Sequence, residues 1–177
     1  MQRITMALML LIAGCHSGCR ETLVTKELGK TEADYAASYG TPSKSSMTPD
    51  QIAFNVAPGS LLVARVADGR STEELWLLND QGVGLPEVIA RRAAVVLAPD
   101  AKPDRVVRFS TPGMPAAEIF EFREGDGVIL VERRNGMVTR AALCAQRASC
   151  RLLDQTLKAE LETDALMARA AEASRRR

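Results

Sequence analysis

Histidine is almost absent from this chain of 177 residues, which has one, His16. That scarcity excludes Ser-His-Asp and Cys-His catalysis, because both need an imidazole held by a fold, and His16 lies in an N-terminal stretch with no fold to hold it. It also removes the usual zinc ligand, and the cysteine spacing does not replace it. Aromatic residues make up 4% of the chain, so the core must be built from Val, Leu, Ile and Ala. Excess charge is missing too. The 23 basic and 22 acidic residues nearly cancel, and losing Arg3 with residues 1–14 would balance them. Such a balance makes no electrostatic case for a nucleic-acid partner. Nucleotide chemistry is excluded as well. Gly29-Lys30-Thr31 matches the end of a phosphate-binding loop, but position 24, where the loop needs glycine, is Val. No other motif asks for a cofactor, and none is expected.

What is present begins at the N-terminus. Met1-Gln2-Arg3 is cationic, Met6 to Ala13 (MALMLLIA) is apolar, and Gly14 precedes Cys15. A short positive region, a short apolar region and small residues make a signal peptide. The apolar run is too short to cross a bilayer as a helix. Ile12-Ala13-Gly14-Cys15 resembles the lipobox of bacterial lipoproteins. The resemblance implies removal of residues 1–14 and acylation of Cys15, whose two acyl chains suffice for stable anchoring. His16 and Ser17 follow in place of the Asp that marks inner-membrane retention in Gram-negative lipoproteins. The outer membrane, on its periplasmic face, is therefore the expected address, or the inner membrane if the host sorts differently.

An exported chain meets disulfide-permissive conditions. With Cys15 acylated, Cys19, Cys144 and Cys150 remain, an odd number. Six residues of continuous helix rise about 9 Å, too far for a disulfide. A Cys144–Cys150 bridge therefore needs a turn, and it would staple the end of a strand to the start of a helix. The other reading is two buried thiols. Cys19 stays unpaired or pairs with another chain.

Beyond a lipidated tether (15–28), periodicity and turn residues give an α+β body over 29–150. Thr31 to Tyr39 reads as a helix with Thr31 as N-cap and Asp34 answering it. Gly40 and Pro42 end it, and Tyr35 and Tyr39 share a face. Residues 41–50 read as a polar loop, within a longer loop to about residue 60. Leu61–Val66 and Glu74–Leu78 flank Asp68-Gly69 as a hairpin. Pro86 opens a helix through Val96, and Arg105–Phe109 is a strand. Ile119–Phe122, Val128–Glu132 and Met137–Leu143 form a three-stranded meander turned at Glu124-Gly125-Asp126-Gly127 and Asn135-Gly136, with Asp-Gly and Asn-Gly as the signals. The predicted fold is thus an antiparallel sheet, hairpin plus meander, packed with two or three helices. Residues 151–177 form a C-terminal amphipathic helix, with Leu153, Leu157, Leu161 and Ala165 recurring every fourth residue. Arg175-Arg176-Arg177 closes it, either as a solvated end or as a contact for anionic lipid or peptidoglycan.

Gly29-Lys30-Thr31, Tyr35, Tyr39 and Gly40-Thr41-Pro42 together resemble the opening of the SmpA/OmlA (BamE-like) family of small outer-membrane lipoproteins. Trp76 to Val83 (WLLNDQGV) is similar to that family's closing strand and turn. The match covers residues 29–85. It implies helices on an antiparallel sheet and a role in protein–protein contact, and it carries over no catalytic residue. The meander resembles the family's sheet equally well, so a tandem arrangement, 29–85 and 86–143, is one reading.

Chemistry is harder to find. Glu73, Glu74, Glu121, Glu124 and Asp126 are the acids that could pair for glycosidic cleavage, but their places beside turns read as solvated faces. Trp76 reads as core, or else as an exposed anchor for a partner. The expectation is a non-catalytic lipoprotein, held by its N-terminal lipid, that docks on other envelope proteins of an outer-membrane assembly or secretion type. The alternatives are a periplasmic ligand-binding lipoprotein and a cell-wall hydrolase.

Overall fold

The computed structural model describes residues 24, 27–43, 48–79, 85–98, 102–110 and 116–175. Seven antiparallel strands form one sheet in the order β1-β2-β3-β7-β6-β5-β4. They are β1 (Gln51–Ala57), β2 (Ser60–Ala67), β3 (Arg70–Leu77), β4 (Arg105–Phe109), β5 (Ala117–Glu124), β6 (Gly127–Arg134) and β7 (Met137–Cys144). Helix α1 (Glu32–Tyr39) precedes the first three strands, α2 (Glu87–Leu97) precedes the other four, and α3 (Arg151–Arg175) follows them. The α+β class follows directly, but the sheet is larger than a hairpin plus a meander. Two meanders, β1-β2-β3 and β4-β5-β6-β7, are joined by antiparallel pairing of β3 with β7.

Local chemistry explains the elements. Thr31 and Asp34 form a capping box at α1, satisfying N–H groups that a helix start leaves open. Asp68-Gly69 and Asn135-Gly136 both have positive φ at both residues, the geometry a two-residue turn needs to match strand twist. β1 was hidden inside the expected 41–60 loop. Its QIAFNVA carries an apolar alternation, Ile52, Phe54 and Val56, which the preceding Pro/Ser-rich stretch disguised, and Phe54 is fully buried.

The sheet is covered on both faces. One core contains Tyr35 from α1, Val88, Ile89 and Val96 from α2, and Phe54, Leu62, Trp76, Ile129 and Leu143 from the strands. Val24 and Leu28, placed by sequence in the tether, belong to this core as well, so the fold begins before residue 29. The second core sets Leu152 and Leu153 of α3 against Val63, Leu75, Leu130 and Ala142. Beyond Glu160, α3 leaves the sheet. Leu161, Leu166 and Met167 are 42%, 64% and 68% exposed.

Candidate functional site

Strand β3 lies inside the sheet between β2 and β7, and from Glu73 to Trp76 both of its faces are covered. Glu73 and Glu74, read from sequence as solvated, are both fully buried. Successive side chains of a strand point to opposite faces, so the two carboxylates lie in different cores. The same correction holds for Glu121, which is buried, while Asp126 is exposed and Glu124 half-buried.

Glu74 lies under α1. Its Oε1 accepts from the Tyr35 hydroxyl at 2.5 Å, and its Oε2 accepts from the Trp76 indole N–H at 3.1 Å. The Lys30 ammonium lies 3.9 Å away. Tyr35, Tyr39, Phe54 and Trp76 form one aromatic cluster around it, with ring centroids 5.7–6.5 Å apart. More than half of the few aromatic residues thus serve one buried acid. Burial pushes the Glu74 carboxyl up against the pull of these donors, and burial also raises Tyr35. For Lys30, burial works downward, but contacts with Glu27 and Glu74 outweigh it and raise its pKa. Trp76 is therefore core, with no surface to offer a partner, because the inward phase of β3 places it beside Glu74.

The opposite face holds α3. Glu73 accepts the backbone N–H of Leu152 at 2.7 Å, so a strand carboxylate supplies the N-cap that Cys150 cannot. Arg65 reaches Glu73 at 3.8 Å, Asp50 at 3.5 Å and Gln155 at 3.3 Å. Cys144, at the end of β7 and opposite Glu73, is bonded to Cys150 across a 3-10 turn, Arg147–Ser149, with Cα atoms 5.4 Å apart. That turn shortens the path that a continuous helix would have made too long. Further along, Glu132 is fully buried and accepts from Arg134, from Arg140 at 3.3 Å and from Thr139 at 3.1 Å. Glu160 of α3 closes the network on the same Arg134, at 2.7 Å, and Arg140. The helix is thus fastened at its start by Glu73 and the disulfide, and where it leaves the sheet by Glu160.

These acids are employed internally. Each turns to donors within its own core, although Glu73 Oε2 and the Arg65 Nε beside it make no hydrogen bond, and they lie on two faces of one sheet. Among the described residues no group of three or more His, Cys, Asp or Glu could hold a metal ion. Of the residues singled out by sequence, Cys144 and Cys150 come together, Arg175 ends α3 exposed, and Trp76 joins a different core. Cys15, Cys19, Arg176 and Arg177 lie outside the described residues. Glu132 went unremarked in the sequence, although its phase with Val128 and Leu130 in β6 was the available signal.

The two kinds of acid predict an unusual acid profile. Burial raises Glu73 and Glu74 above the ordinary 4.5. A raised carboxylate costs stability above its folded pKa, and the cost fades as pH falls toward the unfolded value. Arg133 and Arg108 hold Glu118 below 4.5; for Glu160, burial works upward but Arg140 and Arg134 outweigh it. Their contribution is lost as pH falls below 4.5 and through their depressed values. The melting temperature is therefore expected to rise between neutrality and about pH 5 and to fall below about 4.5. Combining Glu73→Gln with Glu74→Gln should flatten the rise. A wild-type profile falling steadily from neutrality, or an undiminished rise in the double variant, would refute this account.

No family model matches the chain, and no curated protein matches it. Among solved structures, a DUF4309 family protein (YjgB) from Bacillus subtilis subsp. subtilis str. 168 is similar at 16% identity and a TM-score of 0.42, over 66% of this chain and 79% of that one. A cysteine-rich secretory protein (SAV1118) from Staphylococcus aureus subsp. aureus Mu50 is similar at 10% identity and a TM-score of 0.43. That match covers 73% of this chain and 47% of the other. Likeness this distant carries no inference about activity.

Proposed function

We propose that this chain is a non-catalytic lipoprotein of the bacterial envelope, tethered through Cys15, that docks on a larger assembly of the outer-membrane or secretion type. The observation that carries this reading is the distal part of α3. Its first ten residues are clamped to the sheet, while the rest continues about 22 Å beyond it at helical rise. The sheet-facing phase, Leu153, Thr156 and Glu160, runs on through Thr163, Met167, Ala170 and Ser174, all exposed and uncharged. An uncharged stripe presented by a helix is a familiar means of seating in a partner's groove. The SmpA/OmlA likeness over residues 29–85 supports the same reading, as does the lipobox. A tandem body, 29–85 and 86–143, is supported by the order helix-then-meander in both halves and by the meeting of their last strands. The buried acids, turned inward within their own cores, support a role without catalysis.

Ending the chain after Glu160 keeps the contacts of Leu152, Leu153 and Glu160 with the sheet and removes the stripe. Crosslinked pull-down from membranes should recover a defined partner with the full chain and lose it with the shortened one. Mass spectrometry should find the acylated Cys15 N-terminus in both. Recovery of the same partner by both forms would sink the docking role of α3. An unmodified N-terminus would sink the anchor.

A further inference from the structure

Strand β4 closes one edge of the sheet. Among the described residues, no strand pairs with its outer side, so alternate backbone N–H and C=O groups there lack a ladder partner. Its sequence is Arg105-Val106-Val107-Arg108-Phe109. Val106 and Val107 are each 39% exposed.

The charges across this part of the sheet alternate in sign. Arg133 of β6, Glu118 of β5 and Arg108 of β4 are direct cross-strand neighbours. Glu118 accepts from Arg133 at 2.6 Å through one oxygen and from Arg108 at 2.7 Å through the other. The row ends on a cation, since the Arg108 side chain is 77% exposed at the sheet's edge. On the other face, Arg105 stands opposite Glu121 of β5, so that row also runs outward from an acid to an arginine. An added strand would place its own residues next in both rows, where opposite charge is favourable and like charge is not.

This pattern discriminates between occupants. Antiparallel self-pairing keeps the faces of the two copies aligned, so centring it on Val106 makes the two Arg105 side chains diagonal neighbours on one face, and centring it on Val107 does the same for the two Arg108 on the other. Cationic edges of this kind discourage a second copy. The same two arginines suit a strand with acids three residues apart and apolar residues between them.

We propose that the outer edge of β4 is a docking site for an extended acidic segment of another protein, which adds as an eighth strand with its acids opposite Arg105 and Arg108. Backbone pairing supplies affinity, and the two charge rows set which segment is accepted. The site depends on neither the lipid anchor nor α3, so it stands or falls separately from the docking role above.

The probe is an acetylated, amidated peptide, Thr-Glu-Val-Val-Glu-Thr, added to the full chain in detergent micelles. Binding should shift the backbone amide resonances of residues 105–109 and weaken with added salt. The same peptide with Lys in place of Glu should bind at least about tenfold more weakly, equal to about 1.4 kcal/mol. Replacing one peptide Val with Pro removes a backbone donor and should abolish binding. Arg105→Glu should reduce the preference for the acidic peptide, and because that side chain is exposed the variant should fold; Arg105→Glu with Arg108→Glu should reverse the preference. No binding at millimolar peptide, equal binding of the Glu and Lys peptides, full binding of the Pro peptide, or indifference to Arg105→Glu would each overturn the proposal.

Discussion

Replacing Glu132 with alanine is expected to cost about 3–5 kcal/mol of stability, the typical cost of removing one member of a buried ion cluster. Glu132 is fully buried, and Arg134 and Arg140, with side chains 15% and 14% exposed, both donate to it. Without the carboxylate, the two guanidinium groups lose the acid between them, and Glu160 must pair with both. Since Glu160 also holds α3, the loss should loosen the helix beyond Leu153. Urea unfolding should show a lower midpoint with little change in slope. The network need not be the most stable filling of that space. Exchanging Glu132, Arg134 and Arg140 together for Leu, Met and Leu should recover much of the loss, since apolar replacements of buried ion clusters are often neutral or stabilising. A cost below about 1 kcal/mol for Glu132→Ala would place the cluster with exposed ion pairs and refute its role as the clamp of α3.

Trp76→Ala should cost about 3–5 kcal/mol, the range for removing a large buried aromatic side chain. The indole fills the space between Glu74 and Tyr39, whose ring it meets edge-on with centroids 6.0 Å apart. Removing it opens a cavity and also takes one donor from a fully buried carboxylate, leaving the Tyr35 hydroxyl and a more distant Lys30. Trp76→Phe refills most of the volume but not the N–H. The cost of Trp76→Phe relative to the wild type therefore reports mainly the hydrogen bond to a charged acceptor, about 1.5–3 kcal/mol. Equal stability of Trp76→Phe and the wild type would show that the indole N–H contributes nothing to holding Glu74.

These two residues also mark how far the sequence could be read. Capping at Thr31, the paired turn residues Asp68-Gly69 and Asn135-Gly136, and the period of α3 are local signals. Each depends on residues within a few positions, so each was legible, and the α+β class followed. β1 escaped because its apolar alternation adjoins a Pro/Ser-rich stretch that dominates the local composition. The acids escaped for a different reason. Glu73 and Glu74 look solvated because a strand with acids usually has a wet face, and that rule fails at the centre of a sheet covered on both sides.

The amino-acid sequence by itself determined most of the elements of this protein and, through the resemblance of Ile12-Ala13-Gly14-Cys15 to a lipobox, its expected address. All of these rest on neighbours in the chain. Only the tertiary structure decided that β3 meets β7, because strand order depends on which apolar faces find one another across the fold. That pairing buries Glu74 with Tyr35 and Trp76, and it sets Glu73 at the start of α3 beside the Cys144–Cys150 staple. It also leaves β4 at an edge, where the cross-strand row beginning at Arg133 ends on a cation facing outward.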